Sequence, residues 1–313
     1  NSSTWGALGV YQAVKMAPML IAGGRNVRSW LKKNPVDLFI PIDFGFLNIR
    51  LCRVAKQKGT KVFYFMPPGS WRRDRQGGDL AQLTDKIATP FPWSAELLLK
   101  SGANVEWVGH PVLQMAGAGT GEPRDTMAIM PGSRTHEIEL NLPVFAEAFS
   151  KLDTKLRPTI IAAPGANEKR LSELWARNCS ADVEISKEGS FAVLRQSRAA
   201  IICSGTASLE AAVCQTPSVV AYVLDSLMVL EAKLVRLKVK YIALPNIVLD
   251  RLAVPELYYP NATPSRIAEE TQRLLDDGPE RRAQLAAFSE LRELLGPPDA
   301  VTRAARIALS MLE

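Results

Sequence analysis

Histidine is scarce in this chain: only His110 and His136 occur among 313 residues. Neither sits in an HExxH or similar ligand spacing, which excludes a multi-histidine metal centre. Four cysteines, Cys52, Cys179, Cys203 and Cys214, are scattered without a CxxC pair. That pattern speaks against a zinc site or a disulfide framework and for buried, reduced thiols. No uninterrupted apolar run reaches the ~18 residues of a spanning helix, and no basic-then-apolar leader opens the chain. The expectation is a soluble or peripheral cytoplasmic protein. Also missing are a Gly-x-Ser-x-Gly elbow and a Walker loop, which argues against a serine hydrolase or a P-loop NTPase. Without zinc-finger spacings or basic repeats, a nucleic-acid-binding module is disfavoured.

What is present is enough apolar side chain, 47%, to fill two cores, and length makes two domains the natural prior. Lys and Arg exceed Asp and Glu by 38 to 32, a formal +6 that favours anionic partners. The residue pattern predicts a helix over Ala7–Leu31, broken at Gly23-Gly24, then a strand at Val36–Ile40, a helix at Leu47–Lys58 and a strand at Lys61–Met66. Strands near Lys86–Ala88 and Val105–Val108 flank a helix at Trp93–Lys100. The small and turn-forming run Gly117–Pro123 predicts a domain boundary, with an N-terminal α/β domain over 1–116 and a second over 117–313. After the boundary the strand-helix alternation restarts at Met127 and continues to a strand at Ser218–Tyr222, the pattern of a doubly wound parallel sheet. Three helices, each entered near a proline, close the chain. It begins at Asn1 without the Gly-rich strand-to-helix turn that often opens such a domain, so the first domain is expected to lack an N-terminal segment.

Several strand ends carry candidate chemistry. Met127–Met130 leads through Pro131-Gly132-Ser133-Arg134 into a helix headed by His136 and Glu137, a turn that can aim N–H groups and an arginine at a phosphate. A plain turn with a surface arginine reads equally well. Ala199–Cys203 leads through Ser204-Gly205-Thr206-Ala207 to Glu210, one helical turn deeper. That arrangement suits a diphosphate on the amides and a ribose on the carboxylate, or simply an N-cap with an acid complementing the helix dipole. Asn246 ends the apolar run Tyr241–Ile247, where it reads a base or caps a loop. In the first half, Asp43 follows a buried strand, as a general base or an N-cap. Trp71, Arg72 and Arg73 follow the next strand, as an anion-capturing cluster or a solvated basic loop.

In this order the segments Pro131–Arg134 with Glu137-Ile138, Ser204–Ala207 with Leu209-Glu210, and Leu244-Pro245-Asn246 resemble the lipid-A-disaccharide synthase family. Val108–Pro111 and Ile42-Asp43 with Asn48–Leu51 extend the likeness. The resemblance implies two Rossmann-like domains of the GT-B glycosyltransferase type. It also implies an inverting, metal-free transfer of diacylglucosamine from UDP to a diacylglucosamine 1-phosphate at the inner face of the cytoplasmic membrane. On that basis Asp43 is the candidate base, and Gly132, Ser133, Arg134, Glu137, Ser204, Gly205, Thr206, Ala207, Glu210 and Asn246 form the donor site. Asn48, Trp71, Arg72 and Arg73 fall on the acceptor side. Two departures lie there: Phe46 replaces the family's second acid, and Met66–Arg73 replaces its Ser-Pro-x-Val-Trp-Ala-Trp-Arg segment. Another lipid or sugar acceptor, or UDP-sugar binding without turnover, remain the alternatives. Trp5, Leu8, Val10, Tyr11, Val14, Met19, Leu20 and Ile21, with Lys15, Arg25 and Arg28, make a helix that meets anionic lipid or else lies in a core.

Overall fold

The computed structural model describes residues 10–74, 77–117, 124–203, 205–224 and 240–313, with side chains from residue 17 onward. The chain divides into two compact units, Asn1–Met115 with Leu294–Glu313, and Ala116–Glu293.

The first unit runs α1 (Val10–Lys33), β1 (Leu38–Phe39), α2 (Gly45–Gln57), β2 (Lys61–Phe65), α3 (Leu80–Leu83), β3 (Lys86–Thr89), α4 (Pro92–Lys100), β4 (Val105–Trp107) and α5 (Pro111–Ala116). Its sheet is parallel, in the order β1-β2-β3-β4. The helix α1 passes straight through Gly23-Gly24, contrary to the predicted break. Gly24 is small for a packing reason: a Cβ there would lie 2.6 Å from Cδ1 of Leu47 on α2. Of the apolar residues named in this helix, Met19 and Ile21 are exposed and Leu20 is half-buried, while the side chains of Val10, Tyr11 and Val14 lie outside the described ones. Trp5 and Leu8 lie outside the described residues.

The second unit continues with β5 (Thr126–Met130), α6 (Thr135–Ser150), β6 (Arg157–Ile161), α7 (Glu168–Ala176), β7 (Glu184–Ser186), α8 (Ser190–Gln196), β8 (Ser197–Ile202), α9 (Ala207–Val213), β9 (Ser218–Tyr222), α10 (Leu244–Leu249), β10 (Glu256–Tyr258), α11 (Pro264–Leu275) and α12 (Pro279–Leu294). Its sheet is again parallel, in the order β10-β9-β8-β5-β6-β7. Met127, Ile129, Phe145, Ile160, Trp175, Ile201 and Val219 lie in one buried cluster, which is why β5, β6, β8 and β9 read as continuous apolar runs.

The last helix, α13 (Ala300–Ser310), departs from the expected division at 117–313, because it packs in the first unit. On β2, Val62 and Tyr64 pack with Ile87 and Leu98, while Phe63 and Phe65 pack with Ala300, Ala304 and Ile307. A parallel sheet must be covered on both faces, and α13 supplies part of the second cover. The return is tight: a Cβ on Gly109 would meet the Pro297 carbonyl oxygen at 2.8 Å, and one on Gly296 would meet Trp107 at 2.6 Å.

Candidate functional site

In the second unit the strand order reverses direction between β5 and β8, so the helices that follow these strands diverge and leave a crevice at the strands' carboxyl ends. A cavity of 580 Å³ lies there, lined by both predicted turns. The two turns differ sharply. At the first, Glu137 is 6% exposed and folds back over its own helix start. Its Oε2 accepts from the backbone N–H groups of Ser133 (3.1 Å) and Arg134 (3.2 Å), and its Oε1 from Arg134 Nη1. Gly132, at φ +119°, admits this carboxylate: a Cβ there would lie 2.7 Å from both Cβ and Oε2 of Glu137. The amides expected to cradle a phosphate are therefore already occupied. What this turn offers the cavity is the exposed Ser133 and the outer edge of the Arg134 guanidinium.

At the second turn Gly205 sits at φ +139°, a conformation reserved for glycine, and a Cβ there would meet nothing within 4 Å. Thr206 is exposed, and the first turn of α9 is partly bonded within itself, Ser208 N to the Gly205 carbonyl (3.3 Å) and Leu209 N to the Thr206 carbonyl (2.9 Å), which leaves the N–H groups of Gly205, Thr206 and Ala207 as the candidate donors to a ligand. The turn is held from behind: Ser208 Oγ donates to the Gly205 carbonyl (2.8 Å) and accepts from Leu244 N (3.3 Å). Glu210 lines the same cavity, half-buried. Ser204 lies outside the described residues.

A third wall, Lys187–Ser190 between β7 and α8, was missed in the sequence, although it repeats the strand, glycine, helix pattern of the other two. Of the two readings of Asn246, the structure shows the loop-holding one. The residue is fully buried, does not line the cavity, and has its amide committed to its own loop. Nδ2 donates to the Val254 carbonyl (2.8 Å) and to Glu256 (2.7 Å), while Oδ1 accepts from the N–H groups of Ala253 (2.7 Å) and Val254 (2.8 Å). Glu256, which no sequence signal marked, also accepts from Ile242 N and Ala243 N. The Leu244–Asn246 segment is tied to the second turn by the Leu244 N to Ser208 Oγ bond.

In the first unit Asp43 and Phe44 both adopt left-handed backbone, at φ 45° and 44°. Two such non-glycine residues in a row carry strain of about 1–3 kcal/mol each and persist only where neighbours over-determine them. The Asp43 carbonyl accepts from Tyr64 Oη (2.7 Å) and Asn48 Nδ2 (2.8 Å), and the latter also reaches the Ile42 carbonyl (3.0 Å). Asn48 is thus a backbone clamp. The N-cap of α2 is Phe44 rather than Asp43, and the Asp43 side chain is exposed. Phe46 is 59% exposed beneath the Arg50 guanidinium, 4.5 Å from the ring centre. In the loop after β2, Arg72 forms a fork with Asp74 (3.0 and 2.9 Å) and lies over the exposed Trp71. Arg73 lies 4.0 Å over Trp93, which stacks on Phe91. Trp93 is a further aromatic at this carboxyl edge that the sequence reading did not single out.

His110 stands apart from such chemistry. Burial pushes His110 down to about 4, and its Nδ1 accepts from Val112 N (3.1 Å), an arrangement only the neutral ring can make. Among the described residues no group of three or more His, Cys, Asp and Glu gathers in a way that could hold a metal ion. A larger cavity, 720 Å³, opens near Lys32, Lys58 and Lys61, at the amino end of β2, and contains none of the candidate residues.

The model of the lipid-A-disaccharide synthetase family matches residues 2–308. A lipid-A-disaccharide synthase of Syntrophus aciditrophicus is 34% identical over 295 residues, covering 88% of this chain and 76% of the relative. That of Neisseria meningitidis is 31% identical over 324 residues, covering 96% and 82%. Among solved structures, S. aureus MnaA with UDP aligns at a TM-score of 0.63 and 12% identity, covering 96% of this chain and 80% of the other. Acinetobacter baumannii MurG aligns at 0.56 and 15%, covering 94% and 79%. These likenesses carry the two-sheet fold.

Proposed function

The chain belongs to the lipid-A-disaccharide synthetase family and is a UDP-sugar glycosyltransferase of lipid A synthesis with a GT-B fold, and from that premise we propose how its residues divide the work. The donor is a UDP-linked diacylglucosamine and the acceptor a diacylglucosamine 1-phosphate. The observation that carries this reading is the cavity at the β5/β8 crevice, which is lined by Arg134, Gly205–Ala207 and Glu210 together.

The diphosphate rests on the N–H groups of Gly205–Ala207, where the start of α9 favours negative charge. Glu210 takes the ribose hydroxyls, and Arg134, held by Glu137, faces the phosphate as charge grows on the leaving group. Asp43 removes the proton from the acceptor hydroxyl as that oxygen attacks the anomeric carbon from the face opposite UDP, so configuration inverts. Its exposed carboxylate on a strained, clamped backbone supports that role. Amides and arginine, rather than a metal ion, balance the diphosphate. The enzyme works at the inner face of the cytoplasmic membrane, where the exposed Met19, Ile21 and Trp30 of α1, with Arg25 and Arg28, meet anionic lipid.

The test is UDP release from UDP-diacylglucosamine with and without diacylglucosamine 1-phosphate. Release should depend on the acceptor, and Asp43→Asn should cut it by at least about a hundredfold while UDP still binds. Release without acceptor, or an Asp43→Asn variant with ordinary turnover, contradicts this assignment. A second reading, another lipid or sugar acceptor on the same donor chemistry, is favoured by the exposed Phe46 where the family has an acid; release with a different acceptor alone would select it.

A further inference from the structure

The two donor turns are joined by a side chain that belongs to neither. Asn141, in the second turn of α6, is 1% exposed. Its Nδ2 donates to the Pro131 carbonyl at 2.9 Å, at the end of β5, and to Cys203 Sγ at 3.3 Å, at the end of β8. Its Oδ1 accepts from Val223 N at 2.9 Å, just past β9. One amide thus ties the carboxyl ends of three strands, two of which bound the crevice. Met130 and Cys203 line the cavity on either side of this tie, and Cys203 N donates to the Met130 carbonyl at 2.7 Å.

A purely packing residue at this position would be apolar, since α6 otherwise buries Ile138, Leu142, Phe145 and Phe149. A buried amide is tolerated there because its donors and acceptor all find partners, and such a satisfied polar group fixes one geometry where an apolar side chain would allow several. Its partners are the strand ends from which both donor turns spring. A displacement of those ends moves Arg134 relative to Gly205–Ala207, the two groups that must reach one diphosphate together.

We propose that Asn141 is a positioning residue for the donor: it sets the gap between the Pro131–Arg134 and Gly205–Ala207 turns and so tunes diphosphate affinity without touching the nucleotide. The inference rests on the donor-site reading given above. It predicts that Asn141→Leu weakens UDP about tenfold to a hundredfold and raises the KM for the UDP-sugar, while the acceptor KM is unchanged. Asn141→Asp keeps the acceptor for Val223 N and removes the donors that link the two turns, so it isolates the tie between them. Its UDP affinity should be low at neutral pH. Relative to wild type it should recover as the pH falls and the buried carboxyl gains a proton to donate.

The experiment is calorimetric titration of UDP into the full-length wild-type, Asn141→Leu and Asn141→Asp proteins, with unfolding midpoints measured alongside. Weakened UDP binding in a folded variant, with the pH-dependent recovery in Asn141→Asp, supports the proposal. A lowered midpoint with unchanged UDP affinity in either variant overturns it and leaves Asn141 a packing residue. If wild type itself does not bind UDP, the donor reading fails and takes this inference with it, an outcome distinct from wild-type binding with unaffected variants.

Discussion

The β5–α6 and β8–α9 turns look alike in sequence, each a strand running through glycine into a helix, yet they are built for opposite tasks. The first is closed on itself: Glu137 fills the concavity that Gly132 makes possible, and the local amides are satisfied. The second is open: among the described residues nothing lies within 4 Å of where a Gly205 side chain would be. A concavity already holding a carboxylate presents negative charge to an incoming phosphate, whereas the second turn brings a glycine and a helix start to the cavity. The difference teaches that a glycine-rich turn at a sheet edge marks where an anion sits, and that the anion can be the protein's own.

The contrast can be broken by exchanging what each glycine permits. Gly205→Val should abolish UDP binding, by more than about a hundredfold, because a β-branched residue cannot hold the φ this turn requires. Its unfolding midpoint should change little by comparison. Gly132→Ala should act in the other order, lowering stability by about 2 kcal/mol as its Cβ displaces Glu137, with a smaller loss of UDP affinity. Calorimetric titration and thermal unfolding on both variants decide the point.

The two carboxylates sharpen the same contrast. Glu137→Gln loses one of two acceptors for the half-buried N–H groups of Ser133 and Arg134 and should cost about 0.5–1.5 kcal/mol of stability in denaturant unfolding. Glu210→Gln should leave stability alone and raise the donor KM by about tenfold, as a weakened ribose contact would. If instead both variants only unfolded more easily, Glu210 would be a helix-start residue like its counterpart.

Charge balance by amides and Arg134 also predicts that a chelator leaves the initial rate within about twofold, since little is left for a divalent ion to do. A separate effect lies away from both turns, at His110. Its folded pKa of about 4 is below the unfolded value of 6.5, so the unfolded chain binds the extra proton between these pH values. Stability should therefore be full above the unfolded pKa and fall as pH drops toward 4, by at most about 1.4 kcal/mol per pH unit. His110→Gln should flatten that slope in unfolding curves taken across the window.

Much of this was readable in the chain. The strands β2, β5, β8 and β9 announce themselves as apolar runs because both faces of their sheets are covered, and the two glycine turns follow directly from them. The self-closure of the first turn was marked only by a Glu three residues after Arg134, the spacing of a capping box, which does not say whether the carboxylate or a ligand takes the amides. The stripe Ala300, Ala304, Ile307 shows that α13 has one packing face, but not that its sheet lies at the other end of the chain. For Asn246 the loop role was readable but its partners were not, because Ala253–Glu256 belong to a loop and a three-residue strand without a periodic signal. Asn141 went unread because a single polar residue on an apolar helix face gains meaning only when three strand ends converge on it.

The most direct test is the structure of the UDP complex. The account predicts the diphosphate oxygens on the N–H groups of Gly205–Ala207, with Glu137 still bonded to the amides of Ser133 and Arg134. A diphosphate found on the Ser133 and Arg134 amides, with Glu137 swung out of the turn, would contradict it.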